Sequence, residues 1–309
     1  MKNENKNFEY IGYGLVFLAG ALWGTIGLFV KQMQANGADA LQISFLRVSF
    51  AFLLMLFITM VKNGRNSFAV SKKALFYSML LGVVCHGVYN IFYCYAVMLA
   101  GVTISAVLLN VAPVFTFLVS AICFSEKADL RKIVALVINV IGCILAATGG
   151  KIDVKTFALT GVLCGVGAGI CYGMTAIFGR YAAENTDPFV MSTYSYFFAA
   201  VLLLIPSAPW KDISVLTNSK VLWYGFLLAL IPTAIAYVLY YYGLQRITES
   251  SKVPVIASIE TVVAAILGIM VYHETIGKFN ILGIIAVLIS IYLMNQKQAL
   301  SGGKNNESH

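Results

Sequence analysis

The stretch Ala19–Gly24, AGALWG, recurs later in the chain as Ala168–Gly173, AGICYG, so that Trp23 aligns with Tyr172. The chain has 309 residues with ten apolar segments, and segments six to ten resemble segments one to five at a spacing of about 148 residues. If each segment crosses a membrane once, five crossings reverse the chain, and the second unit must enter from the opposite side. The sequence therefore predicts an inverted repeat, an architecture found in many secondary transporters.

The composition places most of the chain in an apolar environment. Hydrophobic residues make up 60% of it and charged residues only 11%, whereas a soluble domain carries about 25% charged residues. The apolar segments are continuous and about 20 residues long, which is typical of membrane helices and not of the short alternating strands of an outer-membrane barrel. The sequence predicts an all-α, multi-pass protein of the cell membrane (plasma or inner), surrounded by the lipid bilayer.

The chain divides into two units of five spans. Residues 1–150 form the first unit, residues 151–295 form the second, and residues 296–309 are predicted to be a disordered tail. The first span is longer than the apolar core of a signal peptide and lacks a clear cleavage site, so we expect it to be retained. The predicted spans cover 10–30, 41–61, 75–97, 103–124, 132–148, 157–178, 189–206, 221–242, 251–271 and 279–295.

Lysine and arginine are distributed unequally between the two ends of the predicted bundle. Of the 21 cations, 14 fall at the end that holds both termini, six fall at the opposite end, and Arg47 falls within span 2. Because cytoplasmic loops carry an excess of lysine and arginine, the sequence predicts that the N and C termini are cytoplasmic. The same rule accounts for the net charge of +8, so the charge does not indicate a nucleic-acid partner.

Four short motifs follow one another along the two units: Leu22-Trp23-Gly24, Phe45-Leu46-Arg47, Pro113-Val114 with Glu126, and Ile259-Glu260-Thr261-Val262-Val263-Ala264 with Glu274. With these motifs the sequence resembles the EamA family of the drug/metabolite transporter superfamily along about residues 10–295. Their order, spacing and duplication carry the resemblance, since each motif by itself is weak. Thr261 stands where the family commonly has proline, so the second unit lacks the residue that would kink span 9.

The resemblance implies ten helices in two inverted five-helix repeats around a central cavity with alternating access. Members of the family move small metabolites and often export amino acids or related compounds. The resemblance thus implies an exporter of a small polar metabolite, but it does not indicate which one. Transport could be driven by the substrate gradient or by protons, and the sequence leaves both open.

Three ionisable residues lie at membrane depth in the predicted spans: Glu260, Arg47 and His86. Glu260 is eight residues after Lys252, which places it roughly 12 Å into span 9 at the rise of an α-helix. It could bind an amine-bearing substrate or carry a proton, or it could be a structural carboxyl bonded to a neighbouring helix. Arg47 lies roughly 9 Å from the outer end of span 2. It could snorkel to the interface, bind a carboxylate of the substrate, or pair with Glu260.

Span 3 carries a polar and aromatic face. His86, Tyr89 and Asn90 are spaced so that they share one side of a helix. This face could line a cavity or relay protons, or His86 could be buried and bonded to a backbone carbonyl. In span 8 the repeat aligns Tyr237 with Asn90. The tyrosines at 240–242 lie nearer the membrane boundary, where an aromatic belt is typical.

Trp23 and Tyr172 lie near the middle of the membrane and are related by the repeat. If they face each other, they could stack on a substrate or hold a cation; otherwise they pack against helices or lipid. Asn110, close to Pro113 in span 4, could line the cavity or bridge helices. The candidates for the substrate pathway are Trp23, Arg47, His86, Tyr89, Asn90, Asn110, Tyr172, Tyr237 and Glu260.

Signatures of several other classes are missing from the sequence. It contains no G-x-x-x-x-G-K-[ST] nucleotide loop, no H-E-x-x-H and no G-x-S-x-G, and Glu260 lacks a second deep carboxylate for an aspartyl-type dyad. We therefore expect no enzyme activity, no catalytic residues, no metal site and no cofactor. A channel, and a non-transporting scaffold or receptor, are alternatives to a transporter, and both a monomer and a homodimer are open.

Overall fold

The computed structural model is helical, and it describes residues 2–64, 68–126, 129–150, 158–184, 186–273 and 277–296. Ten helical segments are long and apolar enough to cross a membrane, and no strand occurs within these described ranges. The prediction of an all-α membrane protein with ten spans is confirmed. Numbered 1 to 10 in chain order, the spans are Phe8–Ala35, Ala40–Lys62, Lys72–Ala100, Ile104–Phe124, Leu130–Thr148, Leu159–Ala183, Pro188–Ser207, Ser219–Leu244, Ser250–Tyr272 and Lys278–Asn295.

Five spans are continuous helices and five are divided. The continuous helices are Ala40–Asn63, Leu130–Thr148, Leu159–Ala183, Pro188–Ser207 and Lys278–Asn295, and a short helix, Ile213–Leu216, lies between spans 7 and 8. The divided spans are span 1 (Lys2–Trp23, Ile26–Ala35), span 3 (Lys72–Leu80, π-helical Leu81–Val88, Tyr89–Ala100), span 4 (Val102–Leu109, Val111–Phe124), span 8 (Ser219–Ala229, π-helical Leu230–Ile235, Ala236–Leu244) and span 9 (3₁₀ Ser250–Lys252, Val253–Ala257, Ile259–Tyr272).

Large apolar side chains cover the outside of the bundle. Phe57, Ile122 and Ile205 are 67%, 82% and 75% exposed in the isolated chain. Contiguous apolar surface of this kind is rare on soluble monomers. In a bilayer these side chains contact lipid tails, and the polar groups of the spans turn inward.

Span 4 is interrupted at Asn110 for a reason visible in the sequence. Pro113 has no backbone N–H, and its ring would clash with the carbonyl of the preceding turn in a regular helix. The chain departs from helical geometry at Asn110 (ψ 1°), and the Asn110 side chain donates a 2.9 Å hydrogen bond to the carbonyl of Ala106. A carbonyl near the break is thereby bonded within the protein.

Span 9 is interrupted at Ser258, although it lacks a proline at Thr261. Ser258 (ψ −6°) donates its hydroxyl to the carbonyl of Val255 at 2.6 Å, a side-chain bond that competes with the helical pattern. Asn139 of span 5 donates a 2.6 Å hydrogen bond to the same hydroxyl. The absence of a proline therefore did not prevent a break, because a serine and a neighbouring helix produce one at the position that the repeat aligns with Asn110.

Spans 3 and 8 both contain a π-helical segment in their middle third. Each segment contains a buried polar residue, His86 in span 3 and Thr233 in span 8, which are 4% and 1% exposed. Local π geometry inside α-helices is frequent at functional sites, because it shifts side chains relative to the regular helical face.

The two halves of the chain pack together through matching pairs of spans. Span 2 packs against span 7, and span 5 packs against span 10. Span 1 packs against spans 8 and 9, whereas span 6 packs against spans 3 and 4. Exchanging the two halves converts each of these contacts into itself or into another of them, as a repeated five-span unit would require.

Glycines allow spans 1 and 6 to approach the interrupted helices closely. A Cβ atom added at Gly24 would lie 2.8 Å from the carbonyl oxygen of Glu260 in span 9. A Cβ atom added at Gly173 would lie 2.9 Å from the carbonyl oxygen of Ala112 in span 4. Gly24 and Gly173 are the last residues of the two aligned stretches that open the sequence, so the recurring motif corresponds to recurring backbone contacts.

Some sequence predictions fall outside the described residues. These are Glu274, residues 151–157 at the start of the predicted second unit, and residues 297–309 of the predicted tail. The boundary between the two units at residue 150, the inverted orientation of the second unit and the cytoplasmic placement of the termini stay predictions.

Gly24→Ala tests the contact between spans 1 and 9. The added methyl group would also lie 2.6 Å from Val263 Cβ, and overpacking of this kind costs about 1–3 kcal/mol. We expect a lower midpoint of thermal unfolding in detergent. Gly27→Ala is the matched control, because nothing lies within 4 Å of its added Cβ; equal midpoints for the two variants would show that the close approach is absent in solution.

Candidate functional site

Four aromatic rings from spans 1, 6 and 8 meet in the interior, and we call them the aromatic cluster. The ring centroid of Trp23 lies 6.1 Å from that of Tyr172, 4.9 Å from that of Tyr237 and 5.1 Å from that of Tyr240. The Trp23–Tyr172 pair, which the repeat relates, is edge-to-face. Trp23 is buried, and its indole Nε1 has no hydrogen-bond partner among the described residues.

Glu260 adjoins the aromatic cluster through Tyr172. The Tyr172 hydroxyl donates to the Glu260 carboxylate, at 3.3 Å from Oε2. Glu260 lies in the first turn of the helix Ile259–Tyr272, where the positive end of the helix dipole favours an anion. Tyr89 of span 3 lies on the other side of Tyr172, with ring centroids 5.9 Å apart. Glu260, Tyr172 and Tyr89 are each partly buried in the isolated chain.

Arg47 turns into the protein and binds Thr233. Its Nε donates a 2.7 Å hydrogen bond to the Thr233 hydroxyl oxygen, and that hydroxyl donates at 2.8 Å to the carbonyl of Leu228. Because the proton of the hydroxyl is used for the carbonyl, its lone pairs are available to Arg47. The bond therefore sets the plane of the guanidinium group.

Arg47 and Glu260, whose ionised forms carry opposite charges, are not joined to each other. Neither forms an ion pair with a described residue, and the terminal nitrogens Nη1 and Nη2 of Arg47 have no hydrogen-bond partner in the described part of the chain. An unpaired charge at membrane depth costs several kcal/mol, so each group needs water or a ligand as its partner.

His86 and Asn90 lie behind the aromatic cluster. The ring of His86 is 4.7 Å from that of Tyr237 and 5.2 Å from that of Tyr196, and its Nε2 lies 3.5 Å from the Tyr241 hydroxyl. The Asn90 side chain donates to the carbonyl of His86 and accepts from Ser44 at 3.0 Å. His86 and Asn90 are both buried, so they support the rings.

Asn110 is the sequence candidate that the structure does not bring to the aromatic cluster. Its side-chain amide bonds the preceding turn of its own helix. Asn139 bridges three spans, since its Nδ2 donates to Ser258 and, at 2.9 Å, to Ser290. Both asparagines thus support breaks and helix contacts.

Three residues of this region escaped the sequence analysis. Tyr240 and Tyr241 were predicted near a membrane boundary, but they are 3% and 0% exposed and pack against Trp23 and His86. Thr233 was not among the candidates for the substrate pathway. A polar residue four positions before the first of several tyrosines was the available signal, but threonine in a span has many ordinary roles.

No group of three or more His, Cys, Asp or Glu side chains that could hold a metal ion occurs among the described residues. The chemistry present is one carboxylate, one guanidinium and several aromatic rings and hydroxyls. This set can bind a small polar molecule that carries both charges, and it contains no nucleophile–base pair.

Ten membrane spans, interrupted helices and a small polar site between them define a membrane transport protein. The chain belongs to the EamA-like transporter family, whose model matches residues 10–148 and again residues 159–296. Members with established names are transporters, which are not enzymes.

Several relatives cover nearly the whole chain. An uncharacterized transporter of Archaeoglobus fulgidus is 25% identical over 288 residues, which are 93% of this chain and 97% of the relative. The threonine/homoserine exporter RhtA of Escherichia coli (strain K12) is 26% identical over 247 residues, 79% of this chain and 77% of RhtA. A crystal structure 14% identical in sequence superposes with a TM-score of 0.76 and covers 92% of this chain and 96% of its own, which indicates a shared fold.

Thr233→Val tests the bond that orients Arg47. Valine keeps the shape but removes the acceptor, and a charged donor left without its partner costs about 1–3 kcal/mol. We expect a thermal midpoint several degrees lower in detergent. Thr233→Ser retains the hydroxyl and is the matched control; if valine and serine give the same midpoint, the bond does not contribute in solution.

Proposed function

We propose that the protein is a secondary transporter that exports a small zwitterionic metabolite of the amino-acid type across the cell membrane. The observation that carries this proposal is the pair of unjoined opposite charges, Arg47 and Glu260, beside the aromatic cluster.

A zwitterion satisfies both charges at once. The Glu260 carboxylate would accept hydrogen bonds from an ammonium group, and the free terminal nitrogens of Arg47 would bind a carboxylate in the two-pronged manner that guanidinium favours. A substrate with only one charge would leave the other group unpaired in a low-dielectric site. Selectivity for molecules with both charges follows from that penalty.

The aromatic cluster supports binding of a small cationic group. An ammonium group next to Glu260 would lie near Tyr172 and Trp23, and aromatic faces attract cations by about 0.5–2 kcal/mol. The unpartnered indole Nε1 of Trp23 is a further donor. These rings restrict the space for the substrate to a small side chain.

Alternating access between two inverted repeats is the mechanism that the architecture favours. Spans 4 and 9 are interrupted at positions that the repeat aligns, and spans 3 and 8 carry matching π-helical segments. Sites between inverted repeats are commonly formed by such discontinuous helices, and rocking of one repeat against the other exposes them to each side in turn.

Export of an amino acid is supported by the name of a relative. RhtA of Escherichia coli is a threonine/homoserine exporter, and it is similar to this chain along most of its length. Threonine and homoserine are both zwitterions with short polar side chains, which agrees with the charged groups of the site. A cell-membrane location with cytoplasmic termini is part of the same proposal.

Transport by purified protein in proteoliposomes tests the substrate class. Glu260→Gln and Arg47→Gln should each lower uptake of labelled threonine or homoserine at least tenfold, because each removes a charge-assisted bond worth about 1.5–3 kcal/mol. Arg47→Lys keeps the charge but loses the planar fork, so we expect only partial activity.

Glu184→Gln is the matched control for these variants. Glu184 is 58% exposed and pairs with Lys73 at the protein surface, so the same chemical change there should leave transport unaltered. Transport of threonine at the wild-type rate by both Glu260→Gln and Arg47→Gln would contradict the proposed site. Failure of the wild-type protein to transport any of the standard amino acids would contradict the substrate class.

Proton coupling is tested by the same vesicles with and without an imposed pH gradient. If the driving force is protons, the gradient should accelerate wild-type flux several-fold, and Glu260→Gln should abolish that acceleration, because Glu260 is the carboxylate of the site. Acceleration that survives in Glu260→Gln would show that another group carries the proton. No acceleration in the wild type would identify the substrate gradient as the driving force.

A further inference from the structure

Residues 248–252, which lead into span 9 and include its first turn, are bound by side chains from spans 1, 5 and 6 and from Glu126 after span 4. The strongest attachment is Glu126, which follows span 4. Its carboxylate accepts the backbone N–H of Ser250 at 2.6 Å, the N–H of Ser251 at 3.1 Å and the Ser251 hydroxyl at 2.5 Å. Glu126 therefore caps the beginning of span 9, a role normally filled by a residue of the same helix.

Arg180 of span 6 completes the environment of Glu126. Its Nη1 lies 3.3 Å from Glu126 Oε1 and donates at 2.9 Å to the Ser250 hydroxyl. The Glu126 side chain is only 7% exposed. Its negative charge is therefore stabilised by these hydrogen-bond donors and by the positive end of the span 9 helix, and little by solvent. Ser125 has left-handed backbone geometry (φ 52°), which ends span 4 and turns the chain before Glu126.

A second attachment joins the segment to span 5. Glu249 lies between Lys132 at 2.5 Å and Lys252 at 2.6 Å, and the two lysines are 11% and 14% exposed. Burial raises the pKa of Glu249, but the hydrogen bonds and charges of Lys132 and Lys252 outweigh burial and lower that pKa overall. Glu249 is therefore ionised at neutral pH, and the ion pairs are intact there.

A third attachment joins the segment to span 1. Lys252 donates to the Tyr13 hydroxyl at 3.3 Å, and Tyr13 in turn donates to Glu9 at 2.7 Å. Thr248 donates its hydroxyl to the same Glu9 carboxylate at 2.9 Å. Spans 1, 4, 5 and 6 thus all bind the five residues 248–252.

The segment lies in line with the proposed substrate site. Span 9 carries Lys252 and then Glu260 eight residues later, and span 6 carries Tyr172 eight residues before Arg180. At the rise of an α-helix, both spacings correspond to roughly 12 Å. The network around Glu126 is therefore about two helical turns from the aromatic cluster along two different spans.

Ion pairing is concentrated at this end of the bundle, which we call the Glu126 end. The sequence predicts that it is cytoplasmic. Five ion pairs have both partners within the described residues, and all five lie here: Lys62–Asp187, Lys73–Glu184, Lys132–Glu249, Arg180–Glu126 and Lys252–Glu249.

We propose that Glu126 is a gate residue that holds the 248–252 segment over the substrate site and closes the Glu126 end. Opening of the site to this end requires Glu126 to leave the backbone N–H groups of Ser250 and Ser251, so that span 9 can move away from span 4. The proposal rests on transport by alternating access, but the position of the gate can be tested without any substrate.

Alkylation of a buried cysteine reports whether the Glu126 end is open. Cys85 is 1% exposed and belongs to the same packed group as Trp23 and Tyr237. In a variant whose other five cysteines are replaced by serine, a membrane-impermeant maleimide is added at the Glu126 end, and the rate at which it alkylates Cys85 is measured. Inside-out membrane vesicles present that end if the predicted orientation is correct, and spheroplasts present it if the orientation is reversed.

Glu126→Gln should raise the alkylation rate of Cys85 at least tenfold, and from one side of the membrane only. Ser251→Ala removes one of the hydrogen bonds to Glu126 and should raise the rate by a smaller factor, which provides a test even if Glu126→Gln does not fold. Glu184→Gln is the control at the same end, and it should leave the rate unchanged.

Unchanged alkylation in whichever of Glu126→Gln and Ser251→Ala folds would overturn the proposal, as would an equal increase in Glu184→Gln. Because the assay contains no substrate, its result is independent of the substrate class. Faster alkylation combined with no amino-acid transport would support the gate and contradict the zwitterionic substrate. Unchanged alkylation combined with normal transport of amino acids would contradict the gate and support the zwitterionic substrate.

Discussion

The structure depends on one constraint, which is that lipid offers no partner for a free backbone N–H or C=O group. A helix can be interrupted in a membrane only where side chains or neighbouring helices bind the freed groups. Asn110 and Ser258 do so at the breaks in spans 4 and 9, and Asn139 binds Ser258 from span 5. Gly24 lets span 1 approach the second break. The position of Glu260, in the first turn after that break, is a consequence of these contacts.

The same constraint explains the value of the two central charges. Desolvation makes a lone charge costly in free energy. The separation of Arg47 and Glu260 is therefore explained by a ligand that binds to both groups. Thr233 and Tyr172 each bind one of them and hold both beside the aromatic cluster. At the Glu126 end, by contrast, the charges are joined to one another. Joined charges suit a surface that closes, and separated charges suit a site that binds a ligand.

The candidate site could be predicted in part from the sequence. The repeat aligned Trp23 with Tyr172, and the two rings are in contact. Glu260 was recognisable because a carboxylate deep in a span is rare. The direction of Arg47 and the role of Thr233 were not predictable, since several rotamers take arginine to the interface or inward with equal ease. Tyr240 was assigned to an aromatic belt at the membrane boundary. A tyrosine in the protein core and a tyrosine at the boundary both have apolar neighbours in the sequence, so the sequence does not distinguish the two locations.

The sequence by itself determined the membrane environment, the ten spans and the family, because these follow from length, hydropathy and the order of short motifs. Only the tertiary structure decided which polar groups meet. It also decided that span 9 breaks at Ser258 without a proline, and that Glu126 caps a helix more than a hundred residues away. The physical reason is that lipid and protein interior are both apolar. The pattern of one span therefore does not reveal which face is buried, and contacts between distant spans are needed to fix it.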